Sequence, residues 1–334
     1  MQKHIKAGVM GASGYAGMDL VELLNRHPCV ELVFGTSDSY AGEPIDGTSL
    51  HYIPHAEASF DAIDVIFLAL PHKASAPVAA QALALNVKVV DLSADLRMNT
   101  PESYAQWYDV EHPNPELLPT PYGLPEINRN NLVGIDKVAV PGCYPTTTLL
   151  GIYPLLKTGV LKDGAPIIVD AKSGFTGAGR TVKPHLHFAE GFGNLSPYSP
   201  GRTHRHVGEI EQEIGKFDVT PGPIIFTPHL IPTDRGLMAS IYVNVNGGFT
   251  SDQAQDLYEE VYQNEPLVNV LPNGQQATLR HSVRKNNCTI SLTPVTPDYI
   301  HITSVTDNLR KGAASQAVQD FNLMFDLEET MGLL

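Results

Sequence analysis

Cys143 stands in Val140-Pro141-Gly142-Cys143-Tyr144-Pro145-Thr146, between a short β-branched run, Lys137–Val140, and a run with apolar residues at helical spacing, Thr146–Leu156. Proline suits the first turn of a helix, where its missing N–H has no partner to lose, so Pro145 marks a helix start. A thiol at that point faces the positive end of the helix dipole and unpaired N–H groups, which favours thiolate. Most free cysteines are small buried hydrophobes. Here Pro-Gly before and Pro after argue for a shaped turn that presents sulfur as a nucleophile. The acid/base partner suggested by residue type is a histidine in Thr203-His204-Arg205-His206-Val207-Gly208-Glu209-Ile210, because imidazole titrates near neutrality. A zinc site is the competing reading, since His185, His187, His204 and His206 offer four imidazoles. Two HxH pairs with no Cys, Asp or Glu at ligand spacing are a loose signal, and no metal is expected. Each histidine taken alone reads as a surface residue.

A second chemistry is written in Gly11-Ala12-Ser13-Gly14-Tyr15-Ala16-Gly17, which follows a strand-like run and opens a helix-like one. Glycines there let the backbone approach a pyrophosphate, and the helix N-terminus supplies N–H donors. The spacing is GxxGxxG rather than GxGxxG, so the strand before and the helix after carry the nucleotide-binding expectation. The end of the next strand reads Gly35-Thr36-Ser37-Asp38-Ser39. Ser37 and Ser39 suit a 2′-phosphate and Asp38 suits a 2′-hydroxyl, so these residues alone leave NADP and NAD open. Lys73 offers a positive charge after the third strand. A third cluster, Ser173-Gly174-Phe175-Thr176-Gly177-Ala178-Gly179-Arg180, has the glycine density of a loop that closely approaches a ligand.

The elements that must carry these groups fall into two halves. A chain of 334 residues is long for one core, and two domains are expected. Strand-like runs Ile5–Met10, Val30–Thr36, Asp64–Leu70, Val87–Leu92 and Lys137–Val140 alternate with helix-like runs Tyr15–Arg26 and Ala74–Leu85, which predicts an α/β domain with a parallel sheet. The stretch Asn99–Asn131 is rich in Pro, Tyr and Asn and reads as irregular. From about Pro166 the runs are Pro166–Ala171, Ile224–Pro228, Leu237–Val245, Thr289–Val295 and Tyr299–Val305, with one helix at Ser251–Tyr262. That pattern predicts an α+β second domain with a mostly antiparallel sheet. A last helix, Gly312–Phe325, is compatible with either domain. The net charge of −14 without a basic run argues against nucleic acid and membrane surfaces as partners. Three scattered cysteines without CxxC fit a reducing compartment and no disulfide framework. No secretory leader is expected, and no apolar stretch is long enough to span a bilayer.

Taken together, these motifs resemble the N-acetyl-γ-glutamyl-phosphate reductase family within the aspartate-semialdehyde dehydrogenase group. Gly11–Gly17, Phe67–His72, Asp91–Arg97, Tyr122–Glu126, Val140–Thr146, Ser173–Arg180, His204–Ile210 and Asp307–Val318 run in family order over nearly the whole chain. The resemblance implies a cytoplasmic, homodimeric or homotetrameric NADP(H) enzyme acting on a small acyl phosphate. It implies a Rossmann-type nucleotide-binding domain over 1–143, completed by a C-terminal helix at 312–334, and a catalytic and oligomerisation domain over 144–311. Cys143 matches the nucleophile, and His204 the acid/base that takes the thiol proton and later protonates the reduced oxygen. Gly11, Ser13, Gly14, Tyr15 and Gly17 match the pyrophosphate loop, with Ser37 and Ser39 at the 2′-phosphate. Gly177, Ala178 and Asn308 match the nicotinamide side, and Arg97, Glu126 and Arg205 the substrate contacts. Two positions depart from the pattern. Gly208 replaces a proline, which loosens the start of its helix, and Lys73 replaces a smaller residue, which alters cofactor contacts. The same chemistry fits a neighbouring acyl phosphate, N-acetyl-aminoadipyl or aspartyl phosphate. A reading from another class is a non-catalytic NADP sensor, against which the presence of both Cys143 and His204 argues.

Overall fold

The computed structural model describes residues 4–247 and 249–334. The chain divides into two units, one running through Gly142 and resuming at Ala313–Leu334, the other Cys143–Gly312. The first unit contains β1 (Ile5–Met10), α1 (Tyr15–Arg26), β2 (Val30–Thr36), β3 (Tyr52–Ile53), β4 (Val65–Leu68), α2 (Ser75–Ala84), β5 (Lys88–Asp91), α3 (Pro101–Tyr108), α4 (Pro125–Asn128) and β6 (Lys137–Ala139). Its strands lie in the order β3-β2-β1-β4-β5-β6, all pairs parallel. This is the doubly wound order in which ligands bind beyond the carboxyl ends of the strands, where the order reverses around β1 and β4. The apolar strands are buried on both faces, β4 along its whole length, as expected when helices cover both sides.

The second unit contains α5 (Cys143–Thr158), β7 (Ile167–Ser173), α6 (Phe188–Gly191), β8 (Ser196–Pro197), α7 (His206–Ile214), β9 (Ile224–Leu230), β10 (Leu237–Asn244), α8 (Ser251–Tyr262), β11 (Val268–Val270), α9 (Leu279–Ser282), β12 (Cys288–Thr296) and β13 (Tyr299–Thr306). Its sheet runs β11-β12-β13-β10-β7-β9-β8. The pairs β11/β12 and β7/β9 are parallel and the other four antiparallel, so the sheet is mixed but mostly antiparallel. Strict alternation of burial along β7 marks one core face and one accessible face. α5 packs on β10 and β13, and Gly151 allows the approach: a Cβ there would lie 2.7 Å from Ile241 Cδ1. Pro154 lies inside α5 and cannot bond the carbonyl four residues earlier. That carbonyl, Leu150 O, accepts the Tyr262 hydroxyl at 2.5 Å instead.

The region 99–131 is more ordered than its composition suggests. Thr100 Oγ1 accepts Ser103 N–H at 3.1 Å, Pro101 opens α3, and Asp109 closes it at φ 54°. The Thr-Pro pair is a helix start that the surrounding prolines and tyrosines obscure. The last helix also differs from its periodicity. A π-helical turn, Arg310–Ala314, precedes α10 (Ser315–Met324), which packs on α1 and β5 with Phe321 5.6 Å from Phe67. Among the described residues no helix is long and apolar enough to cross a membrane.

Candidate active site

The glycine loop of the first unit is shaped by its glycines. Gly11 has φ 81°, and a Cβ there would lie 2.4 Å from Ala69 O. A Cβ on Gly17 would lie 2.3 Å from Gly11 O, so α1 can start only where the loop has no side chains. Gly14 is the N-cap of α1 and makes no side-chain cap bond. No cap side chain therefore occupies the first-turn N–H groups, as an anion site needs. Ser13 Oγ donates to Ser37 Oγ at 2.7 Å, joining the loop to the end of β2. Ser37 is buried and Ser39 exposed. Asp38 Oδ1 accepts His55 N–H at 2.8 Å.

Arg97 and Glu126 are buried in the same unit. Arg97 donates from Nε to Val140 O and from Nη2 to Leu92 O, both at 2.8 Å. It thereby fixes the strand end three residues before Cys143. Glu126 Oε1 accepts from Gln319 Nε2 of α10 at 3.2 Å.

In the second unit Cys143 is the first residue of α5 and is half-buried, whereas Cys29 and Cys288 are buried. Its backbone packs against the π turn: a Cβ on Gly312 would lie 2.8 Å from Cys143 Cβ and 3.3 Å from Cys143 Cα. Thr147 Oγ1 donates to Cys143 O at 2.8 Å and meets Thr306 Oγ1 at 2.7 Å, tying the first turn to β13. Around the thiol stands an aromatic wall that the sequence reading did not identify. Tyr198 donates its hydroxyl to Tyr144 Oη at 3.0 Å. The His204 ring lies 5.7 Å from Tyr144, 5.5 Å from Tyr198 and 5.3 Å from Phe226. Burial raises both tyrosine hydroxyls well above their usual range, and the neighbouring Cys143 charge adds to the shift in each. Both phenols therefore stay protonated and act as donors. The clue in the sequence was position: Tyr144 follows the cysteine, and Tyr198 lies between prolines.

His204 is not the exposed, near-neutral histidine that its residue type suggests. Burial, and then the charge of Arg205, lower its pKa to about 4. His206 is buried, and its backbone N–H donates to His204 Nδ1 at 3.2 Å. With Nδ1 accepting, the neutral ring carries its proton on Nε2. His204 is thus held as a hydrogen-bond donor, and taking a proton from the thiol would first require tautomer exchange. Arg202 secures the turn that carries it, bonding Glu211 at 2.5 and 3.0 Å and Ile224 O at 3.1 Å. Despite Gly208, α7 begins at His206 with Gly208 buried. Arg205 is exposed.

Asn308 organises the glycine cluster of this unit. Its Oδ1 accepts Gly236 N–H at 2.7 Å and its Nδ2 donates to Thr176 Oγ1 at 3.0 Å. A Cβ on Gly177 would lie 2.7 Å from Ser173 Oγ and 3.7 Å from Asn308 Nδ2, so Gly177 and Asn308 are neighbours, with Ala178 in the same 3₁₀ turn. His185 and His187 are exposed on a separate segment. Among the described residues no three His, Cys, Asp or Glu side chains gather as metal ligands.

The semialdehyde dehydrogenase NAD binding domain family matches residues 6–135, and the semialdehyde dehydrogenase dimerisation domain family matches residues 143–308. N-acetyl-gamma-glutamyl-phosphate reductase of Desulforudis audaxviator is 43% identical, over 99% of this chain and 98% of its own length. That of Moorella thermoacetica is 42% identical, over 98% of each chain. Among solved structures, aspartate semialdehyde dehydrogenase II of Vibrio cholerae superposes with a TM-score of 0.76 at 17% identity, covering 97% of this chain and 99% of that one. This last likeness speaks for the fold. The near-complete alignments at more than 40% identity, with both halves matched in order, show that the chain belongs to the N-acetyl-gamma-glutamyl-phosphate reductase family.

Proposed function

We propose that this chain reduces N-acetyl-γ-glutamyl phosphate to N-acetyl-glutamate semialdehyde and phosphate with NADPH, through a thioester on Cys143, as a step of arginine biosynthesis. The observation that carries the proposal is a half-buried thiol opening α5, beside two tyrosine donors packed on His204. The Gly11–Gly17 loop, where a Cβ on Gly11 or Gly17 would strike backbone, fits a dinucleotide pyrophosphate. Asp38 is engaged by His55 N–H, which favours Ser37 and Ser39 facing a 2′-phosphate over Asp38 holding a 2′-hydroxyl. The Gly177, Ala178 and Asn308 cluster serves the nicotinamide side in this reading. Arg205, exposed beside His204, serves the substrate's anionic groups, and Arg97 and Glu126 complete the substrate set. The protein acts in the cytoplasm as a homodimer or homotetramer; the dimerisation-domain match of the second unit supports self-association.

The chemistry follows from these groups. The helix start favours the Cys143 thiolate, which attacks the acyl carbon. The C–O bond to phosphate breaks, and phosphate leaves, taking its proton from solvent. NADPH, when bound, supplies the hydride that reduces the thioester carbon. His204 Nε2–H donates a hydrogen bond to the resulting alkoxide and stabilises it. The alkoxide then re-forms its C=O bond as the C–S bond breaks, releasing aldehyde and restoring the thiolate. First-turn N–H groups of α5 and the tyrosine hydroxyls stabilise the oxyanions.

The test is NADPH consumption with N-acetyl-γ-glutamyl, N-acetyl-aminoadipyl and aspartyl phosphates side by side. One methylene is discriminated by about 1–3 kcal/mol, so kcat/KM should favour the glutamyl compound roughly 10-fold or more. A preference for either alternative corrects the substrate, and NADPH binding without turnover on any of the three supports the sensor reading.

A further inference from the structure

The Asp91-Leu92-Ser93-Ala94-Asp95-Leu96-Arg97 segment holds a carboxylate that the proposed mechanism does not use. Asp95 is wholly buried and accepts four hydrogen bonds. Its Oδ1 takes Lys73 N–H at 2.7 Å and the Tyr104 hydroxyl at 2.9 Å. Its Oδ2 takes Ser75 N–H and Ala76 N–H, each at 3.0 Å. The last two bonds cap α2, whose own N-cap residue, Ala74, has no side chain to do so. The first does something that a cap does not require. Lys73 has φ 75°, a left-handed conformation unfavourable for a lysine, and the Asp95 bond holds its amide there. The carboxylate is itself fixed from several sides. Asp95 N–H donates to Ser93 Oγ at 3.1 Å, Asp95 O meets His112 Nε2 at 2.7 Å, and Tyr104 stacks on Tyr108 at 4.7 Å.

The loop so held leaves β4 directly against the glycine loop. Ala69 N–H donates to Met10 O at 2.9 Å, and Gly11 needs its missing Cβ because Ala69 O would be 2.4 Å away. Residues 71–74 are exposed at the carboxyl edge of the sheet, where a dinucleotide binds in this fold. Strained backbone at such an edge persists only when its surroundings over-determine it. We infer that Asp95 is a positioning residue for the dinucleotide: its buried carboxylate sets the Pro71–Ala74 loop, through the Lys73 amide, in the shape that borders the cofactor site. The inference rests on the dinucleotide reading of the first unit.

Asp95→Asn tests it, because an amide nitrogen in place of one oxygen meets N–H donors with a donor. The measurement is the NADPH Kd by titration of NADPH fluorescence, with the acyl-phosphate KM and kcat at saturating NADPH alongside. The expected result is a Kd raised 10-fold or more, with acyl-phosphate KM and saturated kcat within twofold of wild type. A Kd within twofold of wild type, or a rise in acyl-phosphate KM of the same size as that in Kd, overturns the inference. If Asp95→Asn does not fold, Tyr104→Phe removes one donor and leaves the cap bonds. It should raise the NADPH Kd threefold or more with acyl-phosphate KM unchanged, and an unchanged Kd overturns the inference. Wild-type protein that fails to bind NADPH refutes the dinucleotide reading itself, a separate outcome.

Discussion

Gly312→Ala addresses how the nucleophile is held without touching its chemistry. The added methyl carbon would lie 2.8 Å from Cys143 Cβ, 3.1 Å from Asp307 O and 3.3 Å from Cys143 Cα. Carbon atoms in contact settle about 3.5–4.0 Å apart, so the first turn of α5 and the π turn must separate by about 1 Å. None of the three atoms is the free end of a flexible side chain, so backbone has to move. Thr147, bonded to Cys143 O and to Thr306, resists that movement. Overpacking of this kind destabilises by about 1–3 kcal/mol, and a domain of roughly 150–250 residues loses about 2–4 °C of Tm per kcal/mol. Misplacing a reacting atom by about 1 Å lowers the rate on the order of 100-fold. The assay pairs calorimetry with steady-state kinetics. Tm should fall by a few degrees, kcat should fall 10- to 100-fold, and the NADPH KM should stay unchanged. Wild-type kcat with wild-type Tm, or an effect confined to the NADPH KM, would show that contact with the Gly312 turn does not hold Cys143 in place.

Three further outcomes follow from the same geometry. Asp38→Ala should leave the preference for NADPH over NADH within about threefold, because the carboxylate already serves His55 N–H; a clear preference of the wild type for NADH would show that Asp38 holds a ribose hydroxyl. His204→Asn should lower kcat by roughly 10²–10⁴-fold, with His204→Gln less impaired because its amide N–H reaches nearer the Nε2 position. The pH dependence has a definite sign: His204 is depressed to about 4 from about 6.5 in the unfolded chain, so the unfolded state takes the proton first. This group therefore contributes stability that is lost as pH falls from about 6.5 toward 4, and His204→Asn should flatten that part of a Tm-versus-pH curve. An unchanged slope would mean that the ring is not buried as described.

Much of the framework is legible in the chain. β1, β2, α1 and α8 occupy the residues that periodicity predicts, because each combines a clear apolar repeat with a local start or stop: the Gly11–Gly17 turn before α1, the Thr250 cap before α8. The placement of Cys143 at a helix start follows from Pro-Gly before it and Pro after it. α3 was hidden because its Thr100-Pro101 start lies among prolines and tyrosines that usually mark loops. What local pattern cannot carry is partnership across the fold. Tyr198 reaches Tyr144 over 54 residues, and the position of each tyrosine, after the cysteine or between prolines, does not say that the two meet. The state of His204 depends likewise on Phe226 and the tyrosines packed against it, so residue type alone suggested a near-neutral titration. Arg97, which the resemblance places among the substrate contacts, also holds the carbonyls of Val140 and Leu92, contacts set by the β5 and β6 ends rather than by its own segment.

Turnover through Cys143 requires a covalent acyl-enzyme, and mass spectrometry of protein mixed with N-acetyl-γ-glutamyl phosphate in the absence of NADPH looks for it. The expected result is one N-acetylglutamyl group per chain, on the peptide containing Cys143, removed by NADPH or hydroxylamine and absent from Cys143→Ser. An acyl group on another residue, or the same adduct on Cys143→Ser, would contradict it.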